Sequence, residues 1–452
     1  MMMAPMRSKW PCGCCGRHDM TETLLEMLGR DEPEWSDWSA ISTMWPPYST
    51  QDELDRIRRA SRWLAIRHPF AIAALEVRAS YVVGTGHRYT VRPKDGQEIE
   101  PNVLTAMQAE ITEFTERNQW FHRQRDNQMR MDRDGELFLR MFDVDGYLVV
   151  RYIEPELVAS PVGATGPGNL FGLVLDPQDA ETVRAYTVRR PDRGPSSYEE
   201  VPADQVQHRR STIDTALPRG IPIFWAVEPN LRRVWKLLRN MTTVASIQAA
   251  VAFVRQHERT SGSAIQQYVS RTGAKPGERP KDVETIPPGA IIDLEPGVKA
   301  EFPSSSINVG NFTAAVQAEL RAVAARLSMP EYMLSGDASN ANYASTLVAE
   351  APAIRTFERL QAEMLWYDTQ LLSRALRLAE LHGRLPAGVH EQVVIDGEAP
   401  TVAIRDRLKE VQADQLLLTM QVVSPQTIAA RYGYDYAQER KLIDQAETGQ
   451  LE

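Results

Sequence analysis

Leu327-Ser328-Met329-Pro330-Glu331-Tyr332-Met333-Leu334-Ser335-Gly336-Asp337-Ala338-Ser339-Asn340-Ala341-Asn342-Tyr343-Ala344-Ser345 joins two strongly helical stretches of this chain. Connections in helical bundles usually run roughly 2–8 residues, and longer ordered ones tend to be functional. The second half is small, polar and free of Lys and Arg. Ser, Asn, Asp and Gly favour turns because their short polar groups compete for backbone hydrogen bonds. A cation-free loop between long helices suits a surface that something anionic passes without sticking.

Outward from this loop the pattern is helical on both sides. Upstream, Phe312, Val316, Leu320, Val323 and Leu327 keep helical spacing. Downstream, Phe357, Leu360, Met364, Tyr367, Leu371 and Leu378 mark a buried seam on a long helix that Gly383 and Pro386 stop. Pro229 opens another helix, expected to reach His257, with Leu231, Val234, Leu238 and Met241 on one face. Its Arg232, Arg233, Lys236 and Arg239 form a solvated face or a contact for phosphate or an acidic neighbour. Between these helices, residues 258–308 change composition to Ser, Thr, Gly and Pro. Arg259, Arg271, Lys275, Arg279 and Lys281 make that segment locally basic, and short strands are expected at Ile286–Leu294 and Ala300–Phe302.

The first half reads as α+β. Two helices broken at Pro69 are followed by a Val82-Val83-Gly84-Thr85-Gly86 exit and a strand at Tyr89–Arg92. Gly84-x-Gly86 is only a fragment of a dinucleotide fingerprint and follows a helix, so a strand exit is the expectation. Val103 to Asn127 reads as one helix. Asp134-Gly135 and Asp145-Gly146 each sit between apolar runs and suit hairpin turns, which need positive φ; an EF-hand ligand series is absent. Further strands are expected at Leu170–Leu175, Ala185–Val188 and Val206–His208. The tail predicts helices near Ala403–Gln421, from Ser424-Pro425, and at the end.

The chain has 452 residues, 43% hydrophobic and 25% charged, which is ordinary for a globular protein of more than one unit. A net charge of −9 argues against a broad basic face for tight DNA binding. All three cysteines lie in Cys12-Gly13-Cys14-Cys15, which is no disulfide framework. Together with His18 they offer zinc-ligand chemistry, but the spacing matches no usual knuckle pair, and the expectation is no metal. No run approaches the ~18 apolar residues of a membrane span. P-loop, Gly-x-Ser-x-Gly and His-Glu-x-x-His motifs are missing, and His122, His208, His257 and His382 are scattered. No catalytic residue and no cofactor are expected.

Four stretches in this order resemble the tailed-bacteriophage portal, or head–tail connector, family. They are Arg67-His68-Pro69-Phe70 through Gly84-Thr85-Gly86, Leu217-Pro218-Arg219-Gly220-Ile221-Pro222, Leu327 to Asp337 with Asn342-Tyr343-Ala344-Ser345, and Ser424-Pro425-Gln426-Thr427-Ile428-Ala429 with Gly433-Tyr434-Asp435. The likeness covers about residues 50–445; residues 1–49 match nothing and form a flexible N-terminal arm in this reading.

The resemblance implies an α+β, portal-like ring subunit with a wing at 50–228, a stem helix at 229–257 and a clip at 258–308. A second stem helix at 309–328, a channel loop at 329–345, a long wing helix at 346–383 and a C-terminal crown or outer wing at 384–452 follow. Ser335, Asp337, Ser339, Asn340, Asn342, Tyr343 and Ser345 would face DNA in the channel. Arg259, Arg271, Lys275, Arg279 and Lys281 would face the terminase. The implied partners are further copies of the chain in a ring, usually a dodecamer, the terminase large subunit, head–tail adaptor proteins, the major capsid and scaffold proteins, and passing double-stranded DNA. The implied place is the capsid vertex of a virion assembled in the host cytoplasm, with no membrane. Two other readings compete: a non-viral scaffold or adaptor, and a DNA-processing enzyme.

Overall fold

Thr50 opens the described helical structure. Its hydroxyl accepts the Glu53 N–H at 3.2 Å, and the Glu53 carboxylate accepts the Thr50 N–H at 3.2 Å, a reciprocal cap. The computed structural model describes residue 48 and residues 50–161, 169–194, 196–211, 217–256, 290–294, 309–337, 339, 343–402, 407–432, 434 and 436–447. Contacts divide the chain into residues 1–53 and 54–452.

In chain order the elements are α1 (Gln51–Arg67), α2 (Pro69–Val82), β1 (Arg88–Pro93), α3 (Pro101–Arg117), α4 (Trp120–Asp134), β2 (Glu136–Val144), β3 (Tyr147–Ile153), β4 (Asn169–Leu170), β5 (Leu173–Asp176), β6 (Asp179–Arg189), β7 (Tyr198–Pro202), β8 (Val206–Arg210), α5 (Glu228–Ala250), β9 (Val251–Gln256), β10 (Ala290–Leu294), α6 (Val309–Arg326), α7 (Glu331–Ser335), α8 (Tyr343–Leu381), β11 (Val393–Glu398), α9 (Arg407–Thr419), α10 (Pro425–Arg431) and α11 (Tyr436–Glu447). Sheets are small and mostly antiparallel: β3-β2-β8, β4-β5-β6-β7 and β1-β11, with β9 and β10 paired in parallel.

Several expectations are met. Pro69 starts α2 at its first turn, where a missing N–H costs nothing. Asp145 (φ 53°) and Gly146 (φ 82°) join β2 to β3 in the doubly left-handed turn that Asp-Gly favours. Ser424 caps α10, its hydroxyl accepting the Thr427 N–H at 3.2 Å.

Others are corrected. The single helix expected at 103–127 is two, parted at Gln119, which takes a left-handed φ of 50°. Asn118 makes the break tolerable: its amide donates to Phe114 O and Leu148 O, both at 3.0 Å, and accepts the Val150 N–H at 2.9 Å. Asp134-Gly135 is not a hairpin turn; Gly135 (φ 79°) is the left-handed cap that ends α4. The helix expected to reach His257 stops at Ala250, and Val251–Gln256 pairs with β10 instead. In the expected loop at 329–345 there is a short helix, α7, and α8 already begins at Tyr343. Strands β7 and β11 were not foreseen; β11 reaches back to β1 with Arg88 opposite Glu398. The N-terminal arm up to residue 47 with its cysteine cluster, the Ala300–Phe302 strand, His257 and Gly433 lie outside the described residues.

Helix α8, 39 residues long, is the spine shared by two cores. Ala353, Phe357 and Met364 pack with α2, the start of α5 and the end of α6. Leu371, Leu372, Ala375, Leu376 and Ala379 pack with α3, α4 and the β2–β3 hairpin. A third core joins β2 to the four-stranded sheet through Phe138, Leu173, Tyr186 and Val201. Burial of such side chains stabilises by roughly 1.5–3 kcal/mol each.

Candidate functional site

The α6–α7–α8 junction is where the long polar connection lies. Helix α6 ends in a two-bond cap: the Ser328 N–H donates to Ala325 O at 3.2 Å and the Met329 N–H to Ala324 O at 3.0 Å. The motif needs a left-handed residue, and Ser328 (φ 55°) fills that place without being glycine. Met329 then turns inward beside Ala324, Leu327 and Leu334.

Pro330 admits α7, and Gly336 (φ 70°) closes it, its N–H donating to Tyr332 O at 2.8 Å. The Tyr332 hydroxyl donates to Glu350, tying α7 to α8. Beyond α7, Gly336, Asp337 and Ser339 are exposed. Asp337 accepts the Ser339 N–H at 2.9 Å, and hydrogen bonds from Ser339 hold its carboxyl below the usual carboxylate range. The exposed tip is therefore ionised and negative at neutral pH. No Lys or Arg occurs between Arg326 and Arg355, while Glu331, Asp337 and Glu350 do.

Of the residues expected on this loop, Asp337 and Ser339 are exposed. Ser335 is half-buried in α7, its hydroxyl turned back to Glu331 O at 3.2 Å. Tyr343 and Ser345 belong to the first turns of α8. Asn340 and Asn342 lie outside the described residues, as do Arg259, Arg271, Lys275, Arg279 and Lys281.

Helices α5 and α6 pack side by side through Val234, Val316 and Leu320. Arg233 reaches Glu319 at 2.8 Å, and Asn230 reaches the same carboxylate at 2.7 Å. Arg233 is thus spent within the subunit; Arg232, Lys236 and Arg239 are exposed, and Arg232 pairs with Glu228 one turn back at 2.5 Å.

Three buried ionic centres, missed by sequence reasoning, hold this frame. Glu136, wholly buried at the start of β2, receives Arg219 Nη2 at 2.6 Å and Nε at 2.9 Å. It also receives Arg58 of α1, His208 at 3.1 Å and the Gly220 N–H at 3.1 Å. Arg219 spends its remaining donors on Val158 O (2.7 Å), Phe171 O and Pro155 O (2.8 Å). Burial alone would push the Glu136 carboxyl up, but the Arg219 and Arg58 charges and the His208 hydrogen bond hold it well below the usual range.

On the seam of α8, buried Asp368 receives Arg209 at 2.7 Å, Trp120 Nε1 at 3.0 Å and the Tyr89 hydroxyl. In the third centre Arg78 of α2 grips Asp132 of α4 through two nitrogens at 2.8 and 2.9 Å. Its remaining nitrogen faces Leu327 O at 3.4 Å, a cation set at the C-terminal carbonyls of α6. One signal was legible: an Asp at position 368, at helical spacing between Met364 and Leu371, is a charge on an apolar face.

Such a chain is a mixed helical and sheet subunit organised around a helix pair, an anionic junction and a long seam helix. The family model described as phage portal protein, lambda family, matches residues 33–361, most of the chain. The chain therefore belongs to that family, and its function is that of a portal at the capsid vertex. Among solved structures it is similar to a chain of the virion of a native gene transfer agent particle, at 12% identity and TM-score 0.45, covering 92% of this chain and 99% of that one. A chain from the neck of an empty gene transfer agent particle gives 12% identity and TM-score 0.46, covering 83% and 93%. An HK97 family phage portal protein from Corynebacterium diphtheriae gives 13% identity and TM-score 0.31, covering 74% and 93%. Comparison with curated proteins found no match.

Proposed function

We propose that the chain is the repeating subunit of a closed ring, a dodecamer, whose channel carries double-stranded DNA during packaging and ejection. In this reading residues 50–228 and α8 form the wing. Helices α5 and α6 form the stem, residues 258–308 the clip, and residues after 384 the crown or outer wing. The clip meets the terminase large subunit and later the head–tail adaptors, and the outer surface meets the major capsid and scaffold proteins. The subunit itself hydrolyses no nucleotide; the motor supplies the work.

The observation that carries this reading is the junction after α6. It exposes Gly336, Asp337 and Ser339, holds an ionised Asp337, and has no Lys or Arg between Arg326 and Arg355. A channel that gripped phosphates would stall movement, because each Lys or Arg that neutralises a phosphate releases counterions and tightens binding. Closed rings arise from heterologous contacts that return on themselves, and exposed Arg232, Lys236 and Arg239 on α5 supply one charged side for such a contact.

The test is Asn340→Lys with Ala344→Lys. Ring assembly, read by light scattering and negative-stain imaging, stays intact, while packaged DNA falls by about ten-fold or more. Normal packaging yield from that variant would show that the junction does not face DNA. A stable monomer with no central hole in the unmutated protein would sink the ring itself.

A further inference from the structure

A cavity of about 400 Å3 lies between α2, α4, β8, the end of α6 and the middle of α8. That volume is in the range of small-ligand pockets, roughly 300–1,000 Å3. Its charged lining is lopsided: Arg78, Arg209, Arg210, Arg326 and Arg359 face only Asp132 and Glu363. Leu327, Leu360, Met364 and Ile223 supply apolar wall.

The five guanidiniums differ in how they are satisfied. Arg78 is held by Asp132, Arg209 by Asp368, and Arg359 approaches Glu363 at 3.4 Å. Among the described residues Arg210 meets only neutral acceptors, Leu217 O at 2.8 Å and Pro218 O at 3.3 Å. Arg326, an exposed residue that lines the cavity, has no ion pair or hydrogen-bond partner among the described residues, and partial desolvation together with the like charge of Arg78 makes its protonated form less favourable than in water. Two cations thus line one cavity with no ion pair of their own among the described residues. An anion bound there would add charge-assisted hydrogen bonds that neither guanidinium now makes to a carboxylate.

We propose that this cavity is an oxyanion site, taking a phosphate or carboxylate group between Arg326 and Arg210. Planar guanidinium forks match those two groups in shape as well as charge. The apolar wall lowers the local dielectric and strengthens the contact. Arg326 lies next to the Leu327–Ser328 turn that launches α7, so the occupant braces the root of the junction. This site is independent of the channel assignment, since it needs neither DNA nor the ring. Two sources supply the chemistry: a free inorganic anion, or an acidic side chain of a second copy of this chain.

The probe is inorganic phosphate, titrated by calorimetry into the full-length chain at constant ionic strength, with chloride as reference. Saturable binding is expected in the unassembled chain. Arg326→Gln weakens it about ten-fold to a hundred-fold, the loss expected for one charge-assisted contact. Arg355→Gln, on the exposed face of α8, leaves it unchanged. Phosphate that binds the assembled protein equally well identifies a free anion as occupant. Phosphate excluded on assembly, with Arg326→Gln also weakening assembly, identifies a neighbour's carboxylate. Absence of saturable binding to the unassembled chain, or an Arg326→Gln variant that binds as the parent does, overturns the site.

Discussion

Glu136→Gln is the perturbation that most directly tests how this subunit is held together. The substitution keeps shape and removes one negative charge. In the parent, that carboxylate faces Arg219 at 2.6 Å, Arg58, His208 at 3.1 Å and the Gly220 N–H at 3.1 Å, with both arginines wholly buried. The amide removes the charge that both buried guanidiniums face and turns a donor toward one of them. Removing one partner of a buried ion pair costs about 3–5 kcal/mol. Domain stabilities are only about 5–15 kcal/mol, so the loss is a large share of the whole.

The sign with pH follows from the depressed carboxyl. Its folded value lies below the unfolded one, about 4.3. The stabilisation is therefore complete above that unfolded value and is lost as pH falls through the folded one. Urea denaturation followed by tryptophan fluorescence, at neutral pH and in an acid series, reads both effects. The gap between parent and variant stays constant above about pH 6 and narrows in acid. A gap under about 1 kcal/mol at neutral pH, or one that does not narrow in acid, would refute the argument that the buried charges support each other.

Two further predictions follow from backbone geometry. A Cβ on Gly220 would sit 1.9 Å from Gly135 O and 2.6 Å from Gly135 C, backbone atoms that end α4. Gly220→Ala is expected to cost about 3 kcal/mol or more, seen as lost soluble yield and a lower melting temperature. Ser328→Gly relieves a left-handed non-glycine residue and is expected to raise stability by about 1 kcal/mol, measured as an upward shift of the urea midpoint; a downward shift would mean that the serine side chain stabilises the α6 cap.

Much of the frame was legible because periodicity reports burial. The seam at Phe357, Met364 and Leu371, the break at Pro69, the Asp145-Gly146 turn and the Ser424 cap are each local devices, and each appears where its residues predict it. Local patterns misled where one signal serves two geometries. Asp134-Gly135 has the positive-φ glycine that a hairpin needs, but a helix end needs it equally. The Val251–Gln256 run continues a helical pattern until β10, further along the chain, offers it a parallel partner. Of the loop residues, Asp337 and Ser339 are exposed, while Ser335 is half-buried with its hydroxyl turned back to Glu331 O.

The chain by itself determined its helices, most of its turns and the long cation-free stretch after Arg326, because these depend on residues near one another. Tertiary structure alone decided where the charges go. Arg219 meets Glu136 across 83 positions, Arg209 meets Asp368 across 159, and Arg78 meets Asp132 across 54. No local periodicity encodes such pairs, since a buried charge survives only where the fold brings its partner. The same fold brings Arg210 and Arg326 to the lining of one cavity, where the proposed oxyanion site lies.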